Sequence, residues 1–454
     1  MTDRRNILHL DSKIGKQIIF FLAILTTLIC GIGVAYNIYI VPALLIGSVY
    51  IFYIIKKPVY ILYTVIILLG FRDINIAESL QLKLIDIAII ISIPCMILTC
   101  LMLRVEFRVY KNYLISSSVI FILYVLSSIM WSEDLSNGMV EAIKLVLAAI
   151  LLFLPNIYIK NTKHFVRALE IWLYAAFASS VYNLVNMDLQ SITFDFLNEV
   201  SEFYGFKASF SNFYRDGNDF AMYLILTFVL FEVLKILNPE RKKVYNWLII
   251  PVLLNWIFAL SRGGWIVGLV AYFLIILVKN KDFVKKKKFL LISTGSFVLS
   301  LALIFVVANK GLNIKADWSF FSRFYLWESA IELFTSNFVF GVGIGAYQYN
   351  ALKYIADPVI QLNPYPHNLI LRVLAEFGFL GFVAFLFQII SLYKVKIIEP
   401  LNEYKLVRNV FLVGITAYLM QGFVVEFLSS RYFWMFLGLY NCLANIKHES
   451  NKRI

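Results

Sequence analysis

Long apolar blocks decide what this chain can become. From Ile18 to Ile446, runs of roughly 15–25 apolar residues alternate with short polar segments, and about 20 such residues in a helix cross about 30 Å of hydrocarbon. A soluble chain of 454 residues would divide into domains with polar surfaces. Here 61% of the residues are hydrophobic and only 15% charged, against about 25% charged in an ordinary soluble domain. With lipid as the solvent, every backbone donor must be satisfied within the spanning segment. The predicted fold is therefore all-α, a polytopic helical bundle forming a single membrane domain over 1–454.

The blocks predict spans at 17–35, 38–55, 58–71, 85–103, 113–131, 140–158, 165–186, 217–237, 244–260, 263–279, 289–309, 368–390, 406–424 and 431–446. Fourteen is the count. Twelve is the alternative, because 58–71 is short and the ninth and tenth blocks nearly touch. Arg4, Arg5, Lys13 and Lys16 before the first block resemble a signal peptide. That block runs to about Tyr36 without a small-residue cleavage site, so it reads as a retained span.

Charge orients the thread. With the N-terminus inside, 29 of the 41 Lys and Arg lie in or beside the inner segments, including Lys279, Lys281 and Lys285 to Lys288, and 10 lie outside. Lys144 and Arg372 fall within spans. This bias places both termini in the cytoplasm. It also accounts for the net charge of +13 without nucleic acid. Cys30, Cys95, Cys100 and Cys442 all fall in apolar blocks and read as small buried hydrophobes.

Two outer segments are long enough to carry function, 187–216 and 310–367. The second mixes Trp318, Phe320, Phe321, Phe324, Tyr325, Trp327, Ile331 and Phe334 with Asp317, Arg323 and Glu328, a composition suited to an interfacial helix.

Candidate chemistry gathers on that outer side. His9, His164 and His448 fall inside, whereas His367 faces out in PYPHNLILRVLAEFGFLG, at the mouth of a span. An imidazole with a pKa of about 6.5 can take a proton near neutrality. It can equally cap a helix or bond a loop. Arginines are scarce on this side, and three stand in YRDGNDF (Arg215), SRGGW (Arg262) and SRFYLWE (Arg323). A guanidinium fork matches phosphate oxygens, and three together could hold a lipid diphosphate. Snorkelling or surface pairing, such as Arg215 with Asp216, is the alternative.

Gly341, Gly343 and Gly345 in GVGIGAY allow tight turns or close backbone approach, and Gly263 with Gly264 would permit a sharp reversal after Arg262. Arg372 and Glu376 share a helix face inside a span, which suits either function or mutual neutralisation. Glu328 joins them as a secondary candidate, and Glu141 with Lys144 reads as a structural pair. No carboxylate cluster with metal spacing, P-loop or nucleophile elbow is present, so neither metal nor cofactor is expected.

The order SRGGW, SRFYLWE, NFVFGVGIGAY and PHNLILRVLAEFGFLG resembles the bacterial O-antigen ligase and polysaccharide polymerase superfamily, by motif over roughly 210–390. The resemblance implies transfer of a glycan from an undecaprenyl-diphosphate carrier to an acceptor sugar on the outer face of the bacterial cytoplasmic membrane. It implies that Arg215, Arg262 and Arg323 grip the diphosphate and that His367 is the general base. Membrane lipid, a chain-length regulator and a flippase are the partners it brings. Gly217 and Asn218, after Arg215, match the family pattern loosely. Polymerase is the expected activity, with ligase sharing the same motifs. A flippase for lipid-linked sugar is the rival of another class, since transporters use broken helices and paired charges near the bilayer centre.

Overall fold

The computed structural model describes residues 53–54, 57–77, 82–102, 112–186, 216–259, 261–280, 318–355, 364–395, 397, 402–426 and 428–446. The spans expected at 17–35 and 289–309, most of 38–55, nearly all of loop 187–216 and Arg215 lie outside these residues. The described chain is helical apart from a short antiparallel pair, β1 (Asn75–Ala77) with β2 (Leu82–Lys83).

Among the described residues, six helices are long and apolar enough to cross a membrane. They are α3 (Tyr113–Ser127, extended by a 3-10 turn to Trp131), α4 (Leu135–Tyr158), α5 (Thr162–Val185), α6 (Gly217–Leu237), α8 (Arg262–Lys279) and α11 (Leu369–Tyr393). Shorter or more polar helices lie at five more of the expected spans: α1 (Val59–Leu69), α2 (Leu84–Met102), α7 (Lys242–Phe258), α12 (Asn402–Gln421) and α13 (Arg431–Cys442). Two further helices, α9 (Trp318–Ser336) and α10 (Tyr347–Ala351), lie within the long segment before His367.

Polar side chains mark the helix starts, where backbone N–H groups lack partners. Asn112, Asp134, Asn161, Asp216, Ser261 and Asn368 each accept a bond from the first turn of α3, α4, α5, α6, α8 and α11. The helices run up and down. At one end the starts of α2, α4, α6, α11 and α13 meet: Arg431 binds Asp86 at 2.6 Å and Arg372 binds Glu141 at 3.0 Å. There Arg72, just past α1, also binds Asp219. At the other end Asn112 donates to Asn441 at 2.6 Å, Asn441 donates to Asn156 at 2.9 Å, and Thr162 and Tyr404 share a bond at 2.6 Å.

Packing between helices uses missing side chains. A Cβ on Gly438 of α13 would stand 2.6 Å from the Leu151 carbonyl of α4. Small residues that let backbones approach are the usual means of helix association in lipid, where hydrophobic contrast is absent.

The block expected to be one span at 368–390 is broken. Gly378 has φ 64° and ψ −164°, dividing α11 into 369–377 and 379–393. Its apolar sequence hides the break, because the groups released there find partners in a distant loop. Val342 and Gly343 donate their N–H groups to the Ala375 and Glu376 carbonyls at 3.0 and 2.8 Å. In return Phe379 and Leu380 donate to the Phe338 and Val339 carbonyls at 2.8 and 3.2 Å. Tyr124 of α3 donates to Phe377 O at 2.9 Å. Non-helical backbone at membrane depth is tolerated when protein supplies such partners.

Candidate functional site

The glycine loop is built by what presses on it. Gly341, Gly343 and Gly345 have φ of 69°, 90° and 74°, conformations that L side chains rarely adopt. A Cβ on Gly341 would sit 2.4 Å from the Glu376 backbone carbon. On its other side the loop is clamped to the α3–α4 turn. Ile344 donates to Ser128 Oγ at 3.0 Å, Ser132 Oγ to Ile344 O at 2.9 Å, and Asn137 to Gly345 O at 2.7 Å. The loop thus wedges between α11 and the α3–α4 turn.

Gly263 and Gly264 do not form the expected reversal. Both sit in the first turn of α8, where they let other chain segments close in. A Cβ on Gly264 would stand 2.6 Å from Ala221 Cβ of α6, and one on Gly263 would stand 3.0 Å from Val424 Cγ2. The reversal itself is made before them, with Ser261 as the cap.

His367 is held by its neighbours on both sides. Its φ of 46° is left-handed, a strained setting for a residue with a side chain. On one side Pro366 O accepts a bond from Trp327 Nε1 of α9 at 2.9 Å. On the other, Asn368 caps α11 through Ile370 N and Leu371 N at 3.0 and 3.1 Å, and its Nδ2 donates to Phe423 O at 3.2 Å. Leu369 N donates to Gly422 O at 2.7 Å.

These contacts relate three sequence candidates. Arg323 lies one helical turn before Trp327 on α9, hence on the face that reaches Pro366. Arg262 opens α8, and its neighbour Gly263 abuts Val424 and Gln421 in the turn that holds Asn368. Arg262, Arg323 and His367 are thus carried by segments that border one another. Glu328, on α9, is exposed.

Arg372 and Glu376 belong to something larger than a pair. Arg372 is buried at a side-chain exposure of 7% and touches three carboxylates. Glu141 of α4 lies at 3.0 Å, Glu376 at 3.2 Å, and Glu426 of the α12–α13 turn at 3.3 Å. Lys144 binds Glu141 at 2.9 Å. Three carboxylates thus meet two cations. Glu426 Oε2 is buried with no hydrogen-bond partner. Burial, opposed by Arg372 and helped by Glu376 and Glu141, pushes the Glu426 carboxyl up to about 7. Tyr365, two residues before His367, faces the same charges; burial and then Glu426 push its phenol up to about 12.

Sequence reasoning reached Arg372 and Glu376 through their four-residue spacing and missed the other two carboxylates. Glu141 was paired only with Lys144, and Glu426 was not singled out. The available signal was an acidic residue at one end of the blocks 140–158 and 406–424.

Among the described residues no group of three His, Cys, Asp or Glu could hold a metal ion. Residues 247–386 match the family model described as O-antigen ligase. That stretch runs from α7 to the second part of α11 and includes Arg262, Arg323, the glycine loop, His367, Arg372 and Glu376. Comparison with curated proteins gives no match.

Proposed function

We infer, from an O-antigen ligase segment at 247–386 set in a membrane helix bundle, that this chain polymerises glycan repeat units carried on undecaprenyl diphosphate. The reaction takes place on the outer face of the bacterial cytoplasmic membrane. The observation that carries the reading is the gathering of Arg262, Arg323 and His367 on segments that meet at the Trp327–Pro366 bond and the 421–424 turn.

The chemistry needs little else. His367 accepts the proton of an acceptor sugar hydroxyl as that oxygen attacks the donor's anomeric carbon. The bond from that carbon to the diphosphate oxygen breaks, and the diphosphate leaves with the electron pair. Arg262 and Arg323, with Arg215, hold the charge it gains. A single displacement inverts the anomeric centre.

Purified protein given lipid-linked repeat units tests this. His367→Ala should lower elongation by about 10²- to 10⁴-fold while leaving thermal melting unchanged. A variant that elongates at the wild-type rate, or a product with the donor's anomeric configuration, sinks the mechanism. Ligation of finished polymer onto a lipid A core uses the same groups, and unattached carrier-linked polymer accumulating on deletion would identify it.

One observation favours transport as a second reading. The break at Gly378 and the buried charges around Arg372 are features that transporters place along substrate paths. Loss of carrier flipping in vesicles containing Arg372→Met, with elongation intact, would support it.

A further inference from the structure

The turn between α12 and α13 touches each side of the proposed site. Its Gly422 and Phe423 carbonyls take the Leu369 amide and the Asn368 side chain, at 2.7 and 3.2 Å. At Gly263, beside Arg262, a Cβ would stand 3.4 Å from both amide atoms of Gln421. Where this turn sits therefore sets how far Arg262 stands from His367. The turn belongs to no part of the matched segment, which ends at 386.

Val425 and Leu428 anchor the later part of the turn in the core, whereas its first part is held less firmly. Gln421 is fully buried, yet neither atom of its amide has a partner, and Phe423 is 53% exposed. A side-chain attachment beyond the two carbonyl bonds is Glu426, which accepts from Arg372 Nη1 at 3.3 Å. Arg372 is in turn fixed on α11 by Glu376 and to α4 by Glu141. Through Glu426 the turn is thus tied to the helix that carries Asn368 and to a helix more than two hundred residues earlier.

We propose that Glu426 is a positioning residue: by holding Arg372 it locks the α12–α13 turn against the first turn of α11 and so fixes the spacing of Arg262 and His367. An uncharged acceptor still serves Arg372 here. With three carboxylates and two cations in a low-dielectric setting, one carboxyl is more stable carrying a proton. Glu426 has the fewest contacts of the three. Its neutral form still presents a carbonyl oxygen to the guanidinium.

Backbone hydrogen exchange of the intact chain in lipid nanodiscs reads this without any assumption about activity. The reporter is the Leu369 amide, which exchanges only when the turn leaves Gly422 O. Glu426→Ala should speed its exchange by about tenfold. Glu426→Gln keeps an oxygen for Arg372 and should exchange as the wild type does. Glu426→Asp, one methylene shorter, should fall between, and it stands in where the Ala variant does not accumulate. Equal exchange in the wild type and in the Ala or Asp variant overturns the proposal, as does a Gln variant as fast as Ala.

A catalytic arm rests on the transfer reading given above. Glu426→Ala should lower kcat for elongation by about tenfold with little change in the donor KM, because misplacement by an ångström costs rate more than affinity. Glu426→Gln should restore it. Exchange that responds as stated in a protein with no transfer activity removes the transferase and leaves the positioning role. Transfer by the wild type alongside unaltered exchange in Glu426→Ala removes the positioning role alone.

Discussion

Around Asp219, Arg72, Lys83 and Arg431 meet Asp73, Asp86 and Asp219, so three cations face three carboxylates. Tyr432 donates to Asp219 at 2.6 Å, adding a neutral donor. Around Arg372, at the same end of the helices, two cations face three carboxylates and one carboxylate oxygen has no partner. Both clusters are buried and both tie distant helices together. The balanced cluster fastens α1, α2, α6 and α13. The unbalanced one keeps a proton in play and lies beside the strained His367.

The largest test removes one cation from each. Arg372→Met strands the buried Glu376 and Glu426, leaving Lys144 on Glu141, and should destabilise the chain by about 3–5 kcal/mol, read as a lower melting temperature. Arg72→Met strands Asp73 and Asp219 but leaves Lys83 beside Asp73 and Tyr432 on Asp219, so its loss should be smaller. A larger loss for Arg72→Met would reverse the comparison.

A smaller effect comes from the backbone that frames the unbalanced cluster. Gly378→Ala puts a Cβ about 2.5 Å from Val339 O at a φ of 64° and should cost about 1–3 kcal/mol. Unchanged melting would mean that the break is not held as described.

The smallest effect is one of pH, and its sign separates Glu426 from Asp73. The Glu426 carboxyl is raised to about 7 from 4.5, chiefly by burial. Its contribution to stability is full below the ordinary carboxylate range and is lost as pH rises through about 7. Burial also acts on Asp73, but Arg72 and Lys83 overcome it and hold that carboxyl well below the usual range. Asp73's contribution is present above that range and is lost only in strong acid. Between pH 5 and 8, the melting temperature of wild type relative to Glu426→Gln should therefore fall by a few degrees. Wild type relative to Asp73→Asn should stay level. A level difference for Glu426→Gln would place the spare proton elsewhere.

What the sequence disclosed follows from the range of each interaction. Helix existence was legible from apolar block length, and six of the expected spans coincide with helices long enough to cross. Arg372 with Glu376 was legible because a four-residue spacing is local. The tie from Arg372 to Glu141 spans 231 positions, and no periodicity announces a partner so far away. The break at Gly378 was hidden for a similar reason: LAEFGFLGF reads as uninterrupted apolar helix, and what opens it is a loop some forty residues earlier. Gly263 and Gly264 show the opposite error. Adjacent glycines suggest a turn, yet here they thin the surface of a helix for its neighbours.

The exchange of partners at Gly378 has a bearing on how such a chain can be recombined. Four backbone bonds pass between the 338–343 loop and the two parts of α11, so neither piece is chemically complete without the other. A chimera that imports a foreign loop onto this α11, or a foreign α11 onto this loop, leaves amides and carbonyls bare in a hydrocarbon environment. Viable hybrids should therefore inherit 338–380 as one cassette, with crossovers tolerated on either side of it.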